Sequence, residues 1–192
     1  NDFLIDSKGR LWGASLRGGV FLLEKPHQQQ QGAIPEFINF VHEPNDLNSL
    51  SSNLCTSVAE GKDGNIWVGT DAGLNRIDPS DFSIKHYLRK DGLIDEKIMG
   101  LLVDEEGDIW GSTIGHGIFR FNSKTEIFTF FDKRDGLRSN NFLIGAAYKN
   151  EAGALFFGAD NGLQLIDPKQ VNNFQKPTIT YAFTHLELAQ QN

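Results

Sequence analysis

The chain has 192 residues, of which 39% are hydrophobic and 11% aromatic, and 20 of them are glycines. This composition excludes a disordered chain, and it shows no sign of a membrane span. The formal net charge of −7 comes from 25 acidic and 18 basic residues scattered along the sequence. Because phosphate binding needs clustered Lys and Arg, a nucleic-acid partner is disfavoured.

A short sequence motif occurs four times, and each copy contains an Asp or Asn, a Gly, an aromatic residue and a second Gly in that order. The four copies lie at 6–13, 63–69, 104–111 and 150–158. Their aromatic residues are separated by 55, 43 and 46 residues and are Trp12, Trp67, Trp110 and Phe156. An internal period in the forties indicates an array of repeated structural units.

The third copy shows what one unit contains. Four strands are predicted at 97–103, 109–113, 118–121 and 126–131, and the turn between the first two has Gly107, which tolerates positive φ. Such a four-stranded antiparallel meander has two apolar faces, which become buried when identical units stack around an axis. The sequence therefore predicts an all-β fold of four four-stranded β-propeller blades.

In chain order, the predicted propeller repeats span 1–175, with blades near 1–45, 46–90, 91–137 and 138–175. Residues 26–35 of the first blade read as an extended loop between its third and fourth strands. The recurring aromatic residues are predicted to be buried between blades. The single cysteine, Cys55, has no partner for a disulfide or a zinc site and is predicted to be a buried, inert thiol.

The repeats resemble the two-component regulator propeller repeat. The resemblance rests on residues 46–53 and 60–79, and on the Asp-Gly-Leu segments at 90–93 and 134–137, each just ahead of the next inner strand. It implies the periplasmic, extracytoplasmic part of an inner-membrane signalling receptor. Members of that family usually form seven-bladed rings, so four blades would be an incomplete ring or part of a larger propeller.

The end of the chain extends the resemblance. Residues 167–168 followed by 176–188 are similar to the passage from a last blade into an immunoglobulin-like domain, so 176–192 would be a final strand or linker. The parent protein would then carry a transmembrane helix and a histidine kinase or diguanylate cyclase. None of that output machinery is present in these residues.

An open arc of blades would leave apolar faces uncovered at its two ends. Either the remaining blades of the parent chain or a second copy of the chain would have to cover them. No membrane contact by this part of the receptor is expected.

Catalytic and cofactor motifs are not found. The Asp-Gly turns lack the alternating oxygen ligands of an EF-hand, and the glycines around His116 lie between two strands rather than before a helix. No Gly-x-Ser-x-Gly or His-Glu-x-x-His pattern occurs. We therefore expect a protein without catalytic residues, metal or cofactor.

A ligand would be expected at the loops that join second to third strands, and fourth strands to the next inner strand. In propellers these loops gather on one face, and here they differ from repeat to repeat. The candidate ligand-binding residues are Arg17, Asp71, Arg89, Lys90, His116, Arg134, Arg138, Asp160 and Asn161.

The sequence is compatible with three functions. The first is a ligand-sensing module that binds a small molecule such as an oligosaccharide, the stimulus favoured by the family resemblance. The second is a non-catalytic scaffold for receptor dimerisation. The third is an enzyme such as a propeller lyase.

Overall fold

The computed structural model describes residues 2–26 and 34–172, and it confirms the predicted all-β propeller fold. The strands form four antiparallel sheets, each of which is one blade. Blade one contains β1 (Asp2–Ile5), β2 (Leu11–Ser15), β3 (Gly19–Leu23) and β4 (Ile38–Phe40). Blade two contains β5 (Cys55–Glu60), β6 (Ile66–Thr70), β7 (Gly73–Ile77) and β8 (Ile84–Tyr87).

Blade three contains β9 (Ile98–Val103), β10 (Ile109–Thr113), β11 (Ile118–Asn122) and β12 (Ile127–Phe131). Blade four contains β13 (Phe142–Lys149), β14 (Leu155–Ala159) and β15 (Gly162–Ile166), followed by the short helix α1 (Pro168–Asn172). The predicted loop at 26–35 lies partly outside the described residues. The predicted segment 176–192 lies wholly outside them.

The blades stack in chain order through their innermost strands. Strand β5 packs against β1 on one side and β9 on the other, and β9 packs against β13. Within a blade, each strand pairs with its sequence neighbour, so that Trp110 on β10 lies between Leu102 on β9 and Arg120 on β11. This short-range connectivity follows from the tight turns that the repeat places between its strands.

Three apolar clusters lie between the four blades and hold them together. Trp12, Trp67 and Trp110 each lie in a different cluster and are at most 1% exposed, as predicted. Phe156 differs, because it is only partly buried. It occupies the same repeat position on blade four, and no further blade covers that face among the described residues.

Asp residues in the turns before two of these tryptophans act as structural acceptors. Asp6 Oδ2 accepts a hydrogen bond from Trp12 Nε1 at 2.9 Å, and Asp104 Oδ2 accepts one from Trp110 Nε1 at 2.8 Å. Burial alone would raise the pKa of Asp6. Hydrogen bonds from the backbone N–H of Arg10, from Trp12 and from the Arg10 side chain outweigh burial and hold this pKa below its usual 3.8. These turns therefore fix both the hairpin and the inter-blade aromatic residue.

Candidate ligand-binding face

The loops predicted to gather on one face do so through a repeated set of backbone hydrogen bonds. The turns at 16–18, 71–72, 114–116 and 160–161 meet the connections at 41–54, 88–97 and 132–141, and we call this surface the loop face. The N–H groups of Gly19, Gly73 and Gly117 donate to the carbonyls of Asn53, Glu96 and Asn140 at 3.1, 2.8 and 3.0 Å. The loops are therefore held by the scaffold and differ mainly in their side chains.

The same three connecting residues also hold the start of each connection. Side-chain oxygens of Asn53, Glu96 and Asn140 accept hydrogen bonds from the backbone N–H groups of His42, Arg89 and Lys133 at 2.8, 3.0 and 3.0 Å. The loop face is thus a preorganised surface, which lowers the entropic cost of ligand binding.

All nine candidate residues lie in these loops, but the structure does not bring them into one site. Three of them form a cluster on blade four. Asn161 Nδ2 donates to the carbonyl of Arg138 at 3.0 Å, and Asp160 accepts from Ser139 Oγ at 2.7 Å and from Asn141 Nδ2 at 3.2 Å. These two hydrogen bonds, the Ser139 bond first, lower the pKa of Asp160. Most of the polar groups in this cluster therefore bind one another.

Two other candidates, Arg134 and His116, each contact a different acidic side chain. Arg134 forms an ion pair with Asp132 that raises the pKa of the arginine, and His116 Nδ1 lies 2.9 Å from Asp95 Oδ2. Arg17, Arg89 and Lys90 are exposed in their turns.

Asp71 has a different environment from its repeat equivalent Asp160. Its Oδ1 atom is buried and has no hydrogen-bond partner among the described residues. Leu54 stands where Asn141 donates to Asp160. Burial, followed by the negative charge of Asp71, raises the pKa of the Cys55 thiol to about 12. Cys55 is fully buried, in agreement with the predicted inert thiol.

One concavity of the loop face is a cleft over blade two, with a volume of about 380 Å³. The long 41–54 connection forms one wall, and β8 and the 88–97 connection form the other. The ten lining residues are His42, Glu43, Asn45, Asp46, Leu47, Ser51, Ala72, His86, Leu88 and Glu96. We call this feature the blade-two cleft.

Two histidines fix the wall of the blade-two cleft. His42 Nδ1 lies 2.6 Å from the carbonyl of Leu50, and His86 Nε2 lies 2.6 Å from the carbonyl of Ser49. A carbonyl oxygen can only accept, so each of these nitrogens carries the hydrogen. In the neutral imidazoles, His42 Nε2 and His86 Nδ1 are therefore acceptors.

The cleft is rich in acceptors and has no Lys or Arg among its ten lining residues. Glu43, Asp46 and Glu96 contribute carboxylates, whereas Leu47 and Leu88 contribute apolar surface. Leu47 is 86% exposed at the edge of the cleft. This combination suits a neutral ligand that carries many hydroxyl donors and some apolar faces, and it is unfavourable for an anion.

Sequence reasoning missed the residues of this cleft. None of the nine candidates lines it, although Asp71 and Arg89 are adjacent to it along the chain or by hydrogen bond. The available signal was the length of the 41–54 connection, which exceeds that of the two other connections. Its contacts with β8, such as Ile84 N to Asn48 Oδ1 at 2.7 Å, join residues 36 positions apart.

A second concavity of about 340 Å³ lies along the innermost strands. Its charged groups are used in contacts within and between blades. Asp2 accepts from the N–H of Val58 at 2.9 Å, Glu60 accepts from Ser7, and Lys149 donates to the carbonyl of Val103 at 2.8 Å. These charged groups therefore already serve the scaffold, and we call this feature the axial groove.

Within residues 2–26 and 34–172, no three His, Cys, Asp or Glu side chains come close enough together to hold a metal ion. No helix in the same part of the chain is long and apolar enough to cross a membrane.

Known proteins are similar to this chain in sequence and in fold. Histidine kinase P4 of Formosa agariphila is 26% identical over 198 aligned residues, which cover 77% of this chain and 14% of the kinase. The extracellular domain of the hybrid two component system BT3049 from B. thetaiotaomicron superposes with a TM-score of 0.72 at 25% identity. That match covers 90% of this chain and 22% of the BT3049 chain.

Virginiamycin B lyase from Staphylococcus aureus is more distant. It superposes with a TM-score of 0.56 at 16% identity, over 85% of this chain and 54% of the lyase, and so shares the fold alone. The matches to the kinase and to the BT3049 extracellular domain confirm the resemblance to two-component sensor propellers. The chain spans less than a quarter of either of those two proteins.

A family model described as a domain of unknown function, DUF5074, matches residues 40–184, which is most of the sequence. The chain is a β-propeller of the two-component sensor type and belongs to the DUF5074 family.

Proposed function

We propose that this chain is the periplasmic ligand-sensing module of a bacterial two-component-type receptor, and that it binds a neutral oligosaccharide in the blade-two cleft. The observation that carries the proposal is the cleft itself. It combines a preorganised wall with three carboxylates, two imidazole acceptors and exposed leucine surface. Hydroxyl groups of a sugar would donate to these acceptors, and the C–H face of a sugar ring would pack on Leu47.

The likeness to the BT3049 extracellular domain supports a sensing role and an extracytoplasmic location. The likeness to a histidine kinase supports a receptor with a kinase output. Binding without turnover is the expected behaviour, because the cleft offers acceptors for recognition but no nucleophile paired with a base among its lining residues.

The test is calorimetric titration of the purified chain with neutral oligosaccharides and with oligouronates of matched length. We expect neutral ligands to bind and uronates to bind at least about tenfold more weakly, which corresponds to about 1.4 kcal/mol. Product analysis after long incubation separates sensing from a lyase, because a lyase would release unsaturated or shortened sugars.

Two cleft variants, Glu43→Gln and Leu47→Ser, remove one carboxylate and the exposed apolar side chain without touching the core. Each should weaken binding. Ile127→Ser is the matched control for Leu47→Ser, because Ile127 is also an exposed aliphatic residue but lies on the outer strand of blade three. Arg138→Ala tests the blade-four cluster, and a larger loss in this variant than in the cleft variants would refute the cleft as the binding site.

A scaffold function is the second candidate, and it is favoured by a separate observation. Among the described residues, large apolar side chains are exposed on blades one and four, at repeat positions that are buried between the other blades. This observation concerns a protein partner rather than a small ligand.

A further inference from the structure

Blade two has a buried amide at a repeat position that is aromatic in two other blades. Asn75 pairs with Val68 across the β6–β7 hairpin and is fully buried. Phe21 and Phe119 stand at the same position in blades one and three. Because burying an amide costs free energy unless its polar atoms are hydrogen-bonded, Asn75 needs partners that the two phenylalanines do not need.

Both ends of the Asn75 amide bind Ser51, which lines the blade-two cleft. Asn75 Oδ1 accepts from the backbone N–H of Ser51 at 2.9 Å, and Asn75 Nδ2 donates to Ser51 Oγ at 2.9 Å. Nδ2 also lies 3.4 Å from the carbonyl of Val68. Since a backbone N–H only donates and a carbonyl only accepts, these partners fix which end of the amide carries the hydrogens. Ser51 Oγ is therefore an acceptor for Asn75.

The hydroxyl hydrogen of Ser51 points to a second buried side chain. Ser51 Oγ lies 2.9 Å from Thr70 Oγ1, and Thr70 is fully buried. Thr70 Oγ1 also lies 2.9 Å from the carbonyl of Gly73, which can only accept, so the single Thr70 hydroxyl hydrogen is donated there. The N–H of Ala72 donates to the same Thr70 oxygen at 3.0 Å. The hydrogen between the two hydroxyls therefore belongs to Ser51.

We propose that Asn75 and Thr70 are positioning residues that make Ser51 an acceptor toward the blade-two cleft, so that the cleft recognises a sugar hydroxyl through its hydrogen. Ser51 Oγ accepts from Asn75 and donates to Thr70, which leaves it one lone pair for a ligand. The N–H groups of Ser51 and Ala72 are bound to the same two side chains. This inference rests on the proposed function and narrows its ligand class to glycans with free hydroxyls at this contact.

An acceptor contact distinguishes a free hydroxyl from a substituted one. A hydroxyl that is esterified, methylated or replaced by fluorine has no hydrogen to donate, and its remaining acceptor repels the acceptor of the protein. In their neutral forms, His42 Nε2 and His86 Nδ1 make the same distinction at the wall of the cleft. Asn45 is exposed and has an amide that can donate, so the selection is expected at Ser51 and the two histidines.

Melting temperatures test the hydrogen-bond chain without any ligand. Ser51→Ala and Thr70→Val remove the two ends of one hydrogen bond, so the double variant should lose less than the sum of the two single losses. Thr113→Val is the matched control, because Thr113 is 1% exposed and its Oγ1 also donates to a glycine carbonyl, that of Gly117, at 2.9 Å. Combined with Ser51→Ala, it should give additive losses. Additive losses for Ser51→Ala with Thr70→Val would overturn the proposal.

Calorimetric titration tests recognition, with the neutral oligosaccharide of highest affinity and its monodeoxy and deoxyfluoro analogues. Fluorine can accept a hydrogen bond but cannot donate one. The hydroxyl that contacts Ser51 is the one whose removal has no further effect in Ser51→Ala. At that position, both analogues should bind the unaltered chain at least about tenfold more weakly than the parent sugar.

Thr70→Val should change this selectivity, because it frees the Ser51 hydrogen to point into the cleft. In that variant the deoxyfluoro analogue should bind more tightly than the deoxy analogue. Thr113→Val should bind the parent sugar and both analogues like the unaltered chain.

The outcomes separate this inference from the proposed function. A deoxyfluoro analogue that binds the unaltered chain as tightly as the parent sugar at every position would overturn recognition through the hydroxyl hydrogen and leave sugar binding intact. A chain that binds no neutral oligosaccharide would overturn the proposed function and, with it, the recognition of a sugar hydroxyl, even where the melting temperatures support the hydrogen-bond chain.

Discussion

The inter-blade tryptophans give a prediction with an internal control. Trp110 Nε1 donates to Asp104 Oδ2 at 2.8 Å, whereas blade two has Gly61 in place of the aspartate. Trp67 Nε1 is buried and has no hydrogen-bond partner among the described residues. The two tryptophans are 0% and 1% exposed, so the same substitution removes a similar volume at both sites.

Trp110→Phe and Trp67→Phe should therefore differ mainly in hydrogen bonding. Trp110→Phe leaves a buried carboxylate oxygen without its donor, which costs about 1–3 kcal/mol beyond the lost packing. Trp67→Phe removes a donor that is already unpaired and carries no such cost. In a domain of this size, the difference corresponds to a melting temperature lower by about 2–12 °C for Trp110→Phe.

The assay is thermal unfolding of the two variants followed by circular dichroism under one set of conditions. Near-ultraviolet spectra check that both retain native aromatic packing at low temperature. A loss in Trp67→Phe that equals or exceeds the loss in Trp110→Phe would refute the role assigned to the aspartate.

Three further predictions concern single groups. Folding lowers the pKa of Asp6, so the stability that this carboxylate contributes is fully present above about pH 4 and is lost as the pH falls through the folded-state pKa. In Asp6→Asn, the melting temperature should therefore fall less steeply as the pH is lowered below about pH 4. Cys55 should not react with a thiol reagent at pH 8 in the native chain and should react fully in denaturant, because a pKa of about 12 leaves about one thiolate in 10⁴. Gly115→Ala and Gly117→Ala both place alanine at positive φ, at a cost of about 1–2 kcal/mol, but only at Gly117 would the new Cβ collide with the carbonyl of Phe131. Gly117→Ala should therefore lower the melting temperature more, and equal losses would contradict this account.

Most of the fold could be predicted because each blade is built from local contacts. The strands predicted for blade three at 97–103, 109–113, 118–121 and 126–131 agree with β9 to β12 within one residue at each end. Tight turns, alternating apolar residues and a recurring aromatic residue fix a meander without long-range information. The prediction that Phe156 is buried was wrong, since this residue is only partly buried and no further blade covers its face among the described residues.

The candidate binding site was harder to predict because it is assembled by long-range contacts. The side chain of His86 reaches the carbonyl of Ser49, 37 positions earlier, and this contact shapes the wall of the blade-two cleft. Charged residues at turn tips, such as Arg134 and Asp160, stand out in the sequence. In the structure, hydrogen bonds to close neighbours within the loops already satisfy them.

Binding of a neutral oligosaccharide in the blade-two cleft is the function proposed for this chain. Amide chemical-shift mapping of the isotope-labelled chain during titration with neutral oligosaccharides tests it most directly. We expect the largest shifts at residues 42–47, 86–88 and 96. Shifts centred on the blade-four cluster or the axial groove, or no shifts with any neutral oligosaccharide, would contradict it.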